Sequence, residues 1–555
     1  MGQSFGDWLR KKIIHLLGGV VEEPDGSTAN RLLFVNNEEK VKQLKLAEYN
    51  IWYEGDSDEL LNFYTRNMLF DFNFEPFYDR NKRNYFWAIS SVEAQIKRTH
   101  SGLPRDIVDT LVSIMPFPII KAGKLPFTDD EVNRKLQDIM EENDLPFIYR
   151  AEQMPLTLVE GWGCYKLIWD EASSDLPIIQ YYRAKDVDFI YKNKRIVGVV
   201  YKDFYEYNKK RYLLVETRYI DRRADEDDGG KVKPCMIMNS ELFEAPEGVD
   251  YIEPVELSTI PELKDVEPCL IVWGVNVLFS IPSIIFKNTD GLEGFHGRSI
   301  LTGKIDLLDD LDQDLSQSSM GVKLSTPIEY FNSEYLERDK NGMPKRPSSY
   351  DRKYMAYEGQ RDSEGNPLGD PVIVTQPRLD TKQYSDHALS TMLQIMNGIM
   401  SPATLGIDIA KKDNAEAQRE KEKVTIFTRN TLIAREEWIL RNLCNQALML
   451  CELMRSGTIT VKDYDISIKF NEFADASYEN KIDVLGRQYA QQNLSTDMYM
   501  QKLYGNTLSE AEWEREHKWL DEHHEARNDA INEGMAGIAG DGENLVEQQI
   551  AETAE

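Results

Sequence analysis

The densest chemistry in the chain is a run of aspartates, Asp306, Asp309, Asp310, Asp312 and Asp314. Asp310-x-Asp312-x-Asp314 has the spacing of the first ligands of a calcium loop. Position six of that loop would be Leu315 rather than glycine, and position twelve Gly321 rather than glutamate. Neither the sharp turn nor the bidentate ligand is present. Leu301, Ile305, Leu308, Leu311 and Leu315 recur at helical spacing through the same stretch. Asp306, Asp309, Asp310 and Asp314 therefore read as the polar stripe of an amphipathic helix, solvated or facing a lumen. His517, His523 and His524 lie among Glu514, Glu516, Asp521 and Glu522. Their steps of six and seven do not make a compact helical ligand pair, so no metal is expected there. Lys411 and Lys412, flanked by Asp408 and Asp413, read in isolation as solvated loop charges.

Covalent chemistry has no better footing. Cys164, in the stretch GWGCYK, has no histidine near it in the sequence to activate it and reads as a structural thiol. There is no phosphate-binding GxxxxGK[ST] loop, no GxSxG elbow and no dinucleotide fingerprint. No nucleophile, base and oxyanion donor assemble, so neither an enzyme nor a cofactor is expected. The five cysteines, Cys164, Cys235, Cys269, Cys444 and Cys451, contain no CxxC pair. They suit unpaired thiols in a reducing compartment.

The elements that must carry these residues are legible in outline. Residues 38–55 read as a helix ending at Gly55, and Asp56-Ser57-Asp58-Glu59 as the capping box of the next. A further helix follows Pro104, with Ile107, Val108, Leu111 and Val112 on one stripe. From about 177 to 220 the period changes to two, predicting an antiparallel meander. Residues 221–231 read as a surface loop, and 269–279 as another β segment. Helical spacing returns after Gly297, and a turn-rich stretch with short strands occupies 322–379. A helix over 380–399 stops at Ser401-Pro402, and the longest helical stretch covers 413–455. Leu432, Ile439, Leu443, Ala447, Leu450 and Met454 share one face of it. Beyond it, Ser495 or Thr496 starts a short helix stopping at Gly505, and Ser509 with Glu512 caps another.

Composition bounds the whole. The chain has 555 residues and a formal net charge of −30, with 41% apolar and 29% charged residues. That is a globular balance over two to four domains. The acidity argues against gripping nucleic acid through its phosphates, but not against letting DNA slide past. Tyr (27) and Trp (9) are numerous enough to suggest extensive packing or interface surface. No run of about eighteen apolar residues predicts a membrane span. Near the N-terminus Phe5, Trp8, Leu9, Ile13 and Leu16 interleave with Arg10, Lys11 and Lys12. This segment suits an amphipathic docking helix or one lying on a membrane.

Taken in order, these elements resemble the portal (head–tail connector) family of tailed bacteriophages. YNIWYEGDSDELLNFY at 49–64 is similar to the family's leading helix pair. RNYFWA, followed by HSGLPRDIVDTLVSIM, resembles its segment with a proline before an Ile-Val-Asp helix. FHGRSILTGKIDLLDDLDQDLSQSS resembles the approach to the first stem helix. The resemblance covers about 37–530, and the order of the stretches is its most specific part.

The resemblance implies an α+β, predominantly helical, ring-forming fold. Its parts would be an N-terminal extension (1–36), a wing of helices and antiparallel meander (37–295) and a first stem helix (296–321). A clip (322–379), a second stem helix (380–400), a tunnel loop (401–414) and a long wing helix (415–455) would follow. A helical crown (456–530) and an acidic tail (531–555) would end it. It also implies a nonenzymatic ring, usually of twelve subunits, at one vertex of the virion, assembled in the host bacterial cytoplasm. Double-stranded DNA would pass through the ring. Terminase, a head–tail adaptor, and the major capsid and scaffolding proteins would be its partners, with no membrane. Thr404, Gly406, Lys411 and Lys412 fall in the tunnel loop of such a reading. Asp306, Asp309, Asp310 and Asp314 would line the stem, and Tyr350, Arg352, Lys353 and Tyr354 would lie on the adaptor-docking clip. The rival expectations are another structural protein of the virion neck and a metal-dependent hydrolase.

Overall fold

The computed structural model describes residues 32–33, 37–69, 85–89, 96–122, 130–170, 173–225, 231–245, 251–287, 296–324, 328–332, 340, 353–358, 360–368, 370, 372–375, 381–407, 422–461, 463–471, 485–486, 488–489, 495–504 and 513–521. The architecture is mixed, with helices packed around several small sheets. Residues 1–411 with 420–471 form one compact unit, and 412–419 with 472–555 a second.

The first unit opens with α1 (Asn37–Glu54), which stops at Gly55, left-handed at φ +76°. Its amide donates back to the Ile51 carbonyl at 2.9 Å, the expected glycine stop. α2 (Ser57–Leu69) is capped as expected, Asp56 Oδ1 accepting from the amides of Asp58 (2.8 Å) and Glu59 (3.1 Å). α3 (Leu103–Ser113) carries Pro104 in its first turn, where the missing N–H is no loss. Its buried face is Ile107, Val108, Leu111 and Val112. β1 (Ile119–Ala122) and α4 (Asp130–Glu142) follow, then a π-helical segment Ile148–Gln153 that runs into α5 (Met154–Glu160).

The meander is present and larger than its sequence signal. β2 (Gly163–Ile168) and β3 (Ile178–Arg183) pair with each other. β4 (Val187–Lys192), β5 (Arg195–Tyr207), β6 (Lys210–Asp225) and β7 (Lys231–Glu244) form successive antiparallel hairpins. The β4–β5 and β5–β6 turns use Asn193-Lys194 and Asn208-Lys209, all four at positive φ. This two-residue mirror-image turn matches strand twist and favours asparagine first. β8 (Tyr251–Val255) pairs the end of β7, and strand Leu32–Leu33 pairs β8. β9 (Cys269–Trp273) lies along the same edge of β7 as β8, opposite β6, and β10 (Ser280–Ser283) joins β2.

Two sequence expectations are corrected here. Residues 221–231 are not simply a loop: β6 runs to Asp225 and β7 begins at Lys231, registered with Asp225. Their charged side chains on successive positions hide the period-two signal a half-buried strand would give. Residues 269–279 are not one strand, because Gly274, at φ +76°, turns the chain between β9 and β10.

α6 (Ile305–Leu324) begins later than the expected 296, since residues 300–304 form turns through Gly303 at φ +74°. β11 (Ile328–Asn332), β12 (Lys353–Tyr357) and β13 (Val372–Thr375) form a three-stranded sheet with β11 central. β11 pairs β12 in parallel and β13 antiparallel. α7 (Thr381–Met396) returns along α6. α8 (Lys423–Ser456) has 34 residues, about 50 Å of helix, and ends at Gly457. The expected helical residues 413–421 lie outside the described residues. β14 (Ile466–Lys469) pairs β1. One core joins α2 to α6 and α8, with Trp52, Trp87, Leu308, Leu311, Ile439 and Leu443 all fully buried.

The second unit contains α9 (Thr496–Tyr504), which starts and stops where its cap and Gly505 predict. Thr496 Oγ1 donates to Asp521 at 2.6 Å, and His517 reaches Asp497 (2.9 Å) and Asp521 (3.1 Å). His523, His524 and the Ser509–Glu512 cap lie outside the described residues, as do residues 1–31 and 531–555.

Candidate functional site

The aspartates of α6 divide by angle around the helix. At about 100° per residue, Asp309 and Asp312 sit within roughly 40° of Ile305, whereas Asp306, Asp310 and Asp314 lie roughly 100–180° away. The structure follows that division. Asp306 and Asp310 are exposed, and Asp314 is half-buried. Asp309 is only 4% exposed and Asp312 fully buried.

The two buried carboxylates organise the chain between α2 and α3. Asp309 accepts from the amides of Phe86 (2.7 Å) and Trp87 (3.3 Å). Asp312 accepts from the Trp87 indole (3.0 Å) and the Ser101 amide (2.8 Å), and pairs with His100 Nδ1 at 2.7 Å. Burial pushes the Asp309 carboxyl up to about 7, against the two amides that favour its charged form. Asp309 is therefore no part of a lining stripe. Its apolar angular position places it inside, which corrects the expectation of a solvated or lumen-facing residue. Asp312, met in the sequence only as part of a failed calcium-loop spacing, and His100, which no motif singles out, are the partners that matter there.

The outer three stay at the surface of the α6–α7 pair. Asp306 accepts from the Tyr85 hydroxyl, and Asp314 pairs with His387 of α7. That bond raises the His387 pKa. Burial first, then Asp314, raises the Asp310 carboxyl. Lys304, just before α6, donates to the carbonyls of Gln394 (2.9 Å) and Asn397 (3.2 Å) at the end of α7. A cation on the last carbonyls of a helix is favourable. Together with the Asp314–His387 contact it fixes the two helices antiparallel. Leu389 and Leu393, four residues apart on α7, are both more than 40% exposed.

The edge strand of the small sheet between the helices is bare, whereas Asn332 on its central strand is fully buried. Val372, Ile373 and Val374 of β13 are 39%, 43% and 60% exposed. Consecutive strand residues point to opposite faces, so neither face of β13 is covered. Lys353 and Tyr354 lie on β12, opposite Ile328 and Glu329. Tyr350 and Arg352 lie outside the described residues.

After α7 the chain turns through a 3-10 segment, Pro402–Leu405, and Gly406 at φ +73°. Thr404 is tied to Thr425 in the first turn of α8 at 2.7 Å, and the Ser401 amide donates to the same Thr425 hydroxyl at 2.8 Å. Thr404 and Gly406 thus lie in a turn anchored to α8, and Lys411 and Lys412 lie outside the described residues.

Elsewhere, buried charge is committed to structure. Asp188 binds Lys42 (2.8 Å), Lys202 (2.7 Å) and His296 (3.3 Å), tying α1 to the large sheet. The two lysines hold its carboxyl well below the usual range despite burial. Cys164 is buried beside the Tyr201 hydroxyl, and burial pushes its thiol up to about 12, as a structural thiol requires. Among the described residues no three His, Cys, Asp or Glu side chains are grouped to hold a metal ion. Among them also, no helix is long and apolar enough to cross a membrane. No family model and no curated protein matches the chain.

Proposed function

We propose that the chain is a portal subunit of a tailed bacteriophage, one of a ring through which double-stranded DNA is packaged and ejected. The observation that carries this reading is the α6–sheet–α7 hairpin. Two antiparallel helices bracket a small sheet whose edge strand β13 is exposed on both faces, and a 3-10 turn anchored to the start of a 34-residue helix follows the second of them. That order matches the family's stem, clip, stem, tunnel loop and long helix.

Exposed apolar residues on successive elements support assembly. Leu389 and Leu393 on α7 and Val372–Val374 on β13 leave surface that a neighbouring copy would bury. A ring made this way is heterologous, each subunit offering two different faces. The stem would present Asp306, Asp310 and Asp314 to passing DNA, repelling phosphates and keeping friction low. Terminase and a head–tail adaptor would dock on the ring, the adaptor at the clip.

Native mass measurement and negative-stain imaging of the purified full chain test the reading. Twelve copies of the 64.2 kDa chain give rings of about 0.77 MDa with a central hole. A monodisperse monomer under assembly conditions would refute it.

A further inference from the structure

A concave site lies where the tip of the β4–β5 hairpin, the segment 278–287 and α8 meet. Its volume is ≈ 590 Å³, within the range of small-molecule pockets. Four of its lining side chains are cations, Lys194, Arg195, Lys287 and Arg435, and among the described residues no Asp or Glu lines it. On a chain with a net charge of −30, such a local excess of one sign is the reverse of what composition would place there. Lys194, Arg195 and Lys287 have no carboxylate partner among the described residues. We propose that this cleft binds a small phosphate-bearing molecule with a planar ring, a nucleotide or a close relative.

The hairpin tip is a tight two-residue turn, with Asn193 and Lys194 both at positive φ. It projects Lys194 and Arg195 from a fixed base, with Ile284 and Ile285 buried behind them. Arg435 is the central group. Its Nε donates to the Ile284 carbonyl at 2.6 Å, and its guanidinium lies over the Trp438 ring, 4.4 Å from the centroid. Partial burial lowers its pKa, against the neighbouring Glu436, which raises it. Its terminal nitrogens remain available, and a guanidinium fork suits phosphate oxygens.

The ring is assigned to the aromatic side of the same cleft. Trp438 is 45% exposed, and Tyr191 is stacked against the buried His296 ring at 5.5 Å and 30°. An exposed indole beside cations is a platform for a base whose phosphates reach those cations. The cleft's volume of ≈ 590 Å³ is that of a compact ligand's site, so a small molecule suits it better than a nucleic-acid strand. This inference does not depend on ring assembly.

Isothermal titration calorimetry on the full chain, with ATP in metal-free buffer, tests it. One site per chain is expected, with adenosine and inorganic pyrophosphate each binding at least about tenfold more weakly than ATP. The double variant Arg195→Ala, Lys287→Ala changes only exposed side chains. It should melt like the parent and lose about tenfold in affinity. Trp438→Leu should lose a similar factor for ATP and little for pyrophosphate. Absence of binding at millimolar ATP would overturn the site, as would binding that neither variant alters. Pyrophosphate binding as tightly as ATP would overturn the assignment of a ring-bearing ligand.

Discussion

Asp309 and Asp312 share a helix with three aspartates on its outer side and do a different job. Each accepts hydrogen bonds from backbone or indole donors that have been taken out of water. Removing such an acceptor leaves the donors unsatisfied, which is more damaging than losing an average bond. Asp312→Ala should therefore cost about 3–5 kcal/mol in urea unfolding. Asp310→Ala, four residues from two like charges, should change stability by no more than about 0.5 kcal/mol. Equal effects of the two would sink the division by face. Glu436 adds a pH dependence. It is fully buried on α8, accepts from Gln153 at 2.9 Å, and has an unpartnered second oxygen. Burial pushes its carboxyl up from 4.5 to about 7. The folded state thus holds a proton that the unfolded chain releases near 4.5. The Glu436 contribution therefore falls as pH rises from about 4.5 to 7, and stays lost above that. Glu436→Gln should raise the Tm relative to the parent by more at pH 8 than at pH 5. A pH-independent difference would rule out ionisation of this side chain as the cause.

Elements whose ends are set by local chemistry are those that sequence reads best. Gly55 stops α1, Asp56 caps α2 and Pro104 opens α3, each through atoms within a few residues. The apolar face of α8 is legible for the same reason, since its period needs no partner. Part of what sequence misses is decided at long range. The parallel pairing of β11 with β12 joins strands separated by a long stretch of chain, and the charged continuation of β6 and β7 is held by hairpin register, which leaves no apolar period to read. The inward aspartates were hidden only by reading the run as one stripe, because the angular positions of Asp309 and Asp312 already lie with Ile305. The α6–α7 pair depends on such long-range contacts, and Lys304 closes one end of it. Lys304→Ala should speed amide exchange in the last turn of α7, residues 393–397, and cost about 1 kcal/mol. Unchanged exchange there would show that side-chain packing alone holds the pair.

At the scale of the whole molecule, the exposed apolar surface and the exposed acidic stripe make separable demands. Leu389 and Leu393 contribute nothing visible to the subunit's own core, so the Leu389→Asp, Leu393→Asp variant should fold with near-parental Tm. If α7 is a subunit interface, that variant should remain a monomer of 64.2 kDa, because closing a ring would bury two unpaired charges. Rings of normal mass would place the interface elsewhere. The stripe makes the opposite prediction. Asp306, Asp310 and Asp314 lie on the outer side of α6, and Asn in their place keeps an oxygen to accept from Tyr85 and His387, so their joint replacement by Asn should leave assembly intact. It would remove three negative charges per subunit from the proposed lining, thirty-six around a ring of twelve. DNA phosphates would then meet less repulsion, and packaging rate or retention of packaged DNA should change, most at low salt where screening is weakest. Asp309→Asn serves as the control: buried against Phe86 and Trp87, it should affect stability alone. Unaltered packaging and retention in the triple variant, with rings of normal mass, would remove α6 from the channel wall.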